Sequence, residues 1–81
     1  MISAVLLVNT KLGEESKVLE KIKTVEGVEE AHALWGVYDL MIRIKAHSTD
    51  RLREIIKLHL RSLSGISNVL TLIIEDHPRP A

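Results

Sequence analysis

The chain has 81 residues, sets 11 basic against 11 acidic side chains, and contains no cysteine. That length bounds it to one domain with a small core, and the missing cysteines exclude disulfides, thiolate metal sites and thiol nucleophiles together. Balanced charge argues against a nucleic-acid binder, which normally carries a basic excess; with no apolar run of membrane length and no basic segment ahead of the first strand, a cytoplasmic protein is expected.

From Ile2 to Asn9 the residues form a nearly continuous apolar run, read as a strand buried on both faces. Thr10 to Gly13 break it. From Glu14 the period changes: Val18, Leu19, Ile22 and Val25 fall at helical spacing, with Glu15, Lys17, Glu20, Lys21 and Lys23 opposite them. Acids at its start and lysines near its end suit the helix dipole, and Glu26-Gly27 stops it. Val28 to Trp35 and Val37 to Ala46 read as the arms of a hairpin around Gly36, and Leu40, Ile42 and Ile44 alternate with Met41, Arg43 and Lys45. Ser48, Thr49 and Asp50 offer three N-caps for a second helix. Its apolar face is Leu52, Ile55, Ile56, Leu60 and Leu63, extended by His59, and Ser64-Gly65 ends it. Ile66 to Glu75 form the last strand, before a tail holding Pro78 and Pro80.

Strand, helix, strand, strand, helix, strand is the α+β, ferredoxin-like βαββαβ order, a four-stranded antiparallel sheet. Right-handed crossovers put both helices on one face. The expected domain covers residues 1–76, with 77–81 as a short C-terminal tail. The other sheet face is left open, yet Ala4 to Val8 and Val69 to Ile74 are apolar at nearly every position. Soluble monomers rarely expose so much apolar surface, so a sheet-on-sheet dimer is expected.

The most demanding segment is Ala31 to Ile44. A glycine at its centre permits a sharp reversal or a close backbone approach, and Asp39, an acid among apolar neighbours, needs partners. One role for Asp39 is to bond turn N–H groups; the other is to receive a ligand. Tyr38 and Trp35 suit interface packing at least as well as ligand contact. The four histidines, His32, His47, His59 and His77, lack metal-ligand spacing, so no metal or other cofactor is expected. His32 is read as an interface residue and His59 as half-buried packing. Lys57 and Arg61 read as solvated helix surface, and Arg51, Arg53, Arg61 and Arg79 as too scattered for a phosphate site.

Taken together, Val28-Glu29-Glu30-Ala31-His32, Gly36-Val37-Tyr38-Asp39, Gly65-Ile66 and Thr71-Leu72-Ile73-Ile74 resemble the effector (RAM) domain of Lrp/AsnC transcription regulators. The resemblance runs over essentially the whole chain. It implies a stand-alone effector domain of the archaeal type, since Ile2 already begins the first strand and leaves no room for a helix-turn-helix. It also implies a homo-oligomer of dimers in an octamer-like ring, with a small amino acid held between dimers. Possible partners are full-length Lrp/AsnC regulators, with neither DNA nor membrane bound directly. Carried over by position, Gly36, Val37, Tyr38 and Asp39 match the effector loop, and Thr71, Leu72 and Ile73 match the last-strand segment facing the ligand. Ala33 and Trp35 flank that loop as possible cleft lining. The family often has a hydroxyl residue two positions before Thr71, where Val69 stands here. A zwitterion needs donors for its carboxylate, which free N–H groups at Val37 and Tyr38 supply. Its ammonium needs an acceptor, which Asp39 supplies.

The alternative is a small dimeric ferredoxin-like enzyme, a cofactor-free monooxygenase or isomerase drawing on His32, Trp35, Tyr38, Asp39 or His59. Such chemistry needs two groups converging on an enclosed pocket, and Tyr38 and Asp39 lie at a hairpin tip, so no enzyme activity is expected. An ACT-like domain, with a ligand loop at Asn9 to Gly13, is a third reading.

Overall fold

The first strand, β1 (Ile2–Thr10), sets the architecture through its alternation: Ala4, Leu6 and Val8 are wholly buried, while Val5 and Leu7 are only half-buried. One face of this strand is core and the other is open. A computed structural model describes residues 1–74; the expected end of the last strand at Glu75, the domain limit at 76, His77, Arg79 and the tail lie outside the described residues.

α1 (Glu15–Ile22) is shorter than its periodicity predicts, burying Val18 and Ile22. The chain leaves it through Lys23 and Thr24, and the Thr24 hydroxyl donates to the Lys21 carbonyl at 2.7 Å. Gly27 follows with φ +93°, where an added Cβ would lie 2.8 Å from the Lys45 carbonyl oxygen. β2 (Val28–Ala33) and β3 (Leu40–Ala46) then pair antiparallel, with a bulge between Val28 and Glu30. Ser48 caps α2 (Thr49–Ile55), its hydroxyl accepting from the Arg51 N–H at 3.1 Å. The helix continues as a π-helical turn, Ile56–Leu60, before β4 (Ile66–Ile74).

The sheet order is β2-β3-β1-β4, antiparallel throughout, which is the ferredoxin-like arrangement predicted. Its helix-side residues Ala4, Leu6, Val8, Leu40, Ile42, Ile44 and Ala46 form one core with Val18, Ile22, Leu52, Ile55, Ile56 and Leu60. Burying such aliphatic side chains stabilises by about 1.5–3 kcal/mol each, gross of ordering costs.

The opposite face is uncovered and divided. Its β1 and β4 half presents Val5, Leu7, Leu70, Leu72 and Ile74, paired as Val5↔Leu72, Leu7↔Leu70 and Ser3↔Ile74. Its β2 and β3 half is charged, because the bulge leaves Glu29 and Glu30 to meet Lys45 and Arg43, each at 3.5 Å. His32 joins that group, 3.2 Å from Glu30.

Candidate functional site

The predicted tight hairpin is instead a longer loop. β2 and β3 stop pairing at Ala33↔Leu40, and residues 34–39 connect them. The Leu34 N–H donates to the Asp39 carbonyl at 2.8 Å, closing the base of the loop. Because the reversal is spread over several residues, none of them needs a left-handed conformation. Gly36 does not have positive φ, and a Cβ there would meet nothing within 4 Å.

Asp39 anchors this loop to β1 rather than to its own turn. Its N–H donates to the Val8 carbonyl at 2.9 Å, and its carboxylate Oδ2 accepts from the Thr10 N–H at 2.8 Å and the Thr10 hydroxyl at 3.3 Å. Among the described residues, nothing bonds the other carboxylate oxygen or the backbone N–H groups of Trp35, Gly36, Val37 and Tyr38. Tyr38 is half-buried, whereas Trp35 is fully exposed at 103% and Val37 nearly so at 87%. Ala33 is exposed at the end of β2.

At the other edge of the sheet, α2 and β4 leave a groove of about 570 Å³ between them. Leu52, Ile56 and Ile73 give it apolar walls, Thr49 and Thr71 add hydroxyls, and Arg53, Lys57 and Arg61 stand along it. The Thr71 hydroxyl is buried and has no hydrogen-bond partner among the described residues. Buried polar groups are nearly always paired, so this one stands out.

Thr71 and Ile73 lie opposite Leu6 and Ala4, on the helix side; Leu72 lies opposite Val5, on the open face. The three predicted last-strand residues therefore do not share one surface. Nor does the chain itself bring Gly36–Asp39 to Thr71: the loop joins β2 and β3, while the groove flanks β4 at the far edge.

The sequence reading missed the groove because Arg53, Lys57 and Arg61 read as scattered surface charges. Their signal was a four-residue spacing on one helix flank beside an apolar stripe. His59 is exposed rather than half-buried, since the wider π turn carries it off the apolar face. Among the described residues, no three His, Asp or Glu side chains are grouped to hold a metal ion. No described helix is long and apolar enough to cross a membrane.

A family model described as the Lrp/AsnC ligand binding domain matches residues 3–79. An uncharacterized HTH-type transcriptional regulator of Pyrococcus abyssi is 27% identical over 62 residues, covering 76% of this chain and 41% of that protein. The chain thus spans about two fifths of this regulator's length. Homocitrate synthase of Sulfolobus acidocaldarius is 30% identical over 59 residues, which is 73% of this chain but only 12% of the enzyme. Among solved structures, a hypothetical protein of Pyrococcus horikoshii is 29% identical and superposes with a TM-score of 0.87, covering 100% of each chain.

Proposed function

The chain belongs to the Lrp/AsnC ligand binding domain family, and we propose that it is an amino-acid-responsive regulatory domain whose output is its own assembly. Two copies pair through the open sheet face, burying Val5, Leu7, Leu70, Leu72 and Ile74. Where the loop of one copy meets β4 of a neighbouring dimer, Gly36, Val37, Tyr38 and Asp39 face Thr71 and Ile73 across a cleft. A small amino acid binds there. Unbonded loop N–H groups receive its carboxylate, the free Asp39 oxygen receives its ammonium, and the Thr71 hydroxyl gains the partner it lacks. Leu72 serves the sheet face instead, and Trp35 serves the contact between dimers.

The observation that carries this reading is the Thr71 hydroxyl, buried and without a partner among the described residues, on the wall of an open groove. A ligand that bonds it in the assembled form alone favours assembly by that difference in affinity. Full-length regulators of the same family are the partners this reading proposes for mixed oligomers.

The named regulators among its relatives point to regulation rather than catalysis. In agreement with this, His32 lies on the open face, His59 on the helix exterior, and Tyr38 and Asp39 on the loop, so the candidate acid–base groups do not converge. The match to a short part of homocitrate synthase is consistent with a separable ligand module.

Native mass spectrometry of the protein, alone and after incubation with an equimolar amino-acid mixture, tests the proposal. The expected result is an even-numbered oligomer retaining one amino acid per subunit. Retention of none, with calorimetry also silent for each amino acid, would falsify it.

A further inference from the structure

We infer that the groove between α2 and β4 is a binding site for a nucleoside polyphosphate, complete within a single subunit. Its charge is the first observation. Arg53, Lys57 and Arg61 stand along the groove, and no carboxylate lines it. Among the described residues, no carboxylate comes within salt-bridge distance of these three cations, whereas Arg43, Lys45 and Arg51 all pair with glutamates. A helix rises about 1.5 Å per residue, so the row reaches along roughly 12 Å of it, more than one anionic group spans. A chain of phosphates offers successive anionic groups over such a length, and guanidinium forks bind phosphate oxygens two at a time.

The second observation is the apolar wall. Leu52, Ile56 and Ile73 line the same groove. Ile73 lies on the helix side of the sheet, opposite Ala4, yet is 53% exposed, because the groove keeps α2 from covering it. The flat face of a nucleobase buries against such a wall. Polarity then separates a nucleotide from an acyl chain. Thr49 and Thr71 add hydroxyls, and that of Thr71 is buried without a partner among the described residues. Buried hydroxyls are nearly always bonded; the edge of a base or a ribose hydroxyl supplies the bond, and an alkyl chain does not. This site goes beyond the proposed function, since it needs neither an amino acid nor a neighbouring dimer. Both ligands reach the Thr71 hydroxyl, so the nucleotide is tested with amino acids absent.

The full chain is titrated with ATP in a calorimeter, at low salt and without magnesium, alongside separate titrations with tripolyphosphate, adenosine and dodecanoate. Expected is saturable binding of one ATP per subunit, at least tenfold tighter than tripolyphosphate, adenosine or dodecanoate, and weakening as salt is raised. Lys57→Ala with Arg61→Ala should lower ATP affinity at least tenfold while the melting temperature holds. Lys21→Ala with Lys23→Ala takes the same charge from the exposed side of α1 and should leave ATP affinity unchanged. No saturable binding with ATP at about 1 mM would overturn the inference. So would tripolyphosphate or dodecanoate binding as tightly as ATP, or equal losses of affinity in the two double variants.

Discussion

The carboxylate of Asp39 accepts the Thr10 N–H at 2.8 Å, fastening the β2–β3 loop to the end of the neighbouring strand β1. Together with the bond from the Asp39 N–H to the Val8 carbonyl, it continues the β1–β3 ladder past the last paired residues. The base of the loop is held, while its tip has no backbone partners among the described residues. That division suits a recognition element, which needs a fixed position and free donors.

Asp39→Ala should therefore act twice. Losing a charge-assisted bond to a backbone N–H in a half-buried place costs about 1–2 kcal/mol, measured by urea denaturation. Amino-acid affinity should fall at least tenfold by calorimetry, with the sheet dimer intact. Full stability and full affinity together would remove Asp39 from both roles.

Thr71 should separate stability from binding. Its hydroxyl is buried without a partner among the described residues, and an unsatisfied buried group costs about 1–3 kcal/mol. Thr71→Val keeps the shape and removes that group, so stability should hold or rise by about 1 kcal/mol. Amino-acid affinity should drop. A variant that loses stability would mean the hydroxyl already has a partner.

Two glycines should respond in opposite ways. Gly65 has φ +95°, and an added Cβ would lie 2.8 Å from Val18 Cγ2, in the core packing of α1. Strain and overpacking make Gly65→Ala costly, about 2–4 kcal/mol in thermal denaturation. Gly36→Ala should change stability by less than about 0.5 kcal/mol. Any effect it has should be on assembly or ligand affinity, read by light scattering and calorimetry.

The contrast between these glycines shows what the sequence could and could not convey. Periodicity placed all four strands and both helices, because Leu40, Ile42 and Ile44 alternate strictly and Leu52, Ile55, Ile56 and Leu60 repeat at helical spacing. The core followed from that. Loop length did not, since Leu34, Trp35, Val37 and Tyr38 have strand-like character and only tertiary pairing ends the ladder at Ala33 and Leu40. The segment Thr71-Leu72-Ile73 stood out as a candidate, but its division between two faces depends on register with β1. The bulge after Val28 was equally hidden, and it turns Glu30 to the open face. The groove was hidden for a related reason: spacing puts Arg53, Lys57 and Arg61 on one helix flank, but only β4 lying beside α2 makes that flank the wall of a groove.

Register also says which residues the proposed dimer would bury. Leu72 lies opposite Val5 on the open face and is 47% exposed, so an arginine there has room in a single subunit. In a sheet-on-sheet dimer the same guanidinium would be buried against the partner's aliphatic residues without a counter-ion, which is costly enough to break the pair. Leu72→Arg should therefore halve the smallest particle mass seen by light scattering at micromolar concentration, while far-UV circular dichroism stays unchanged. Ile42→Asp would be no substitute, because Ile42 is wholly buried on the helix side and its change would unfold the subunit itself. A Leu72→Arg protein that remains dimeric would move the pairing surface off this face.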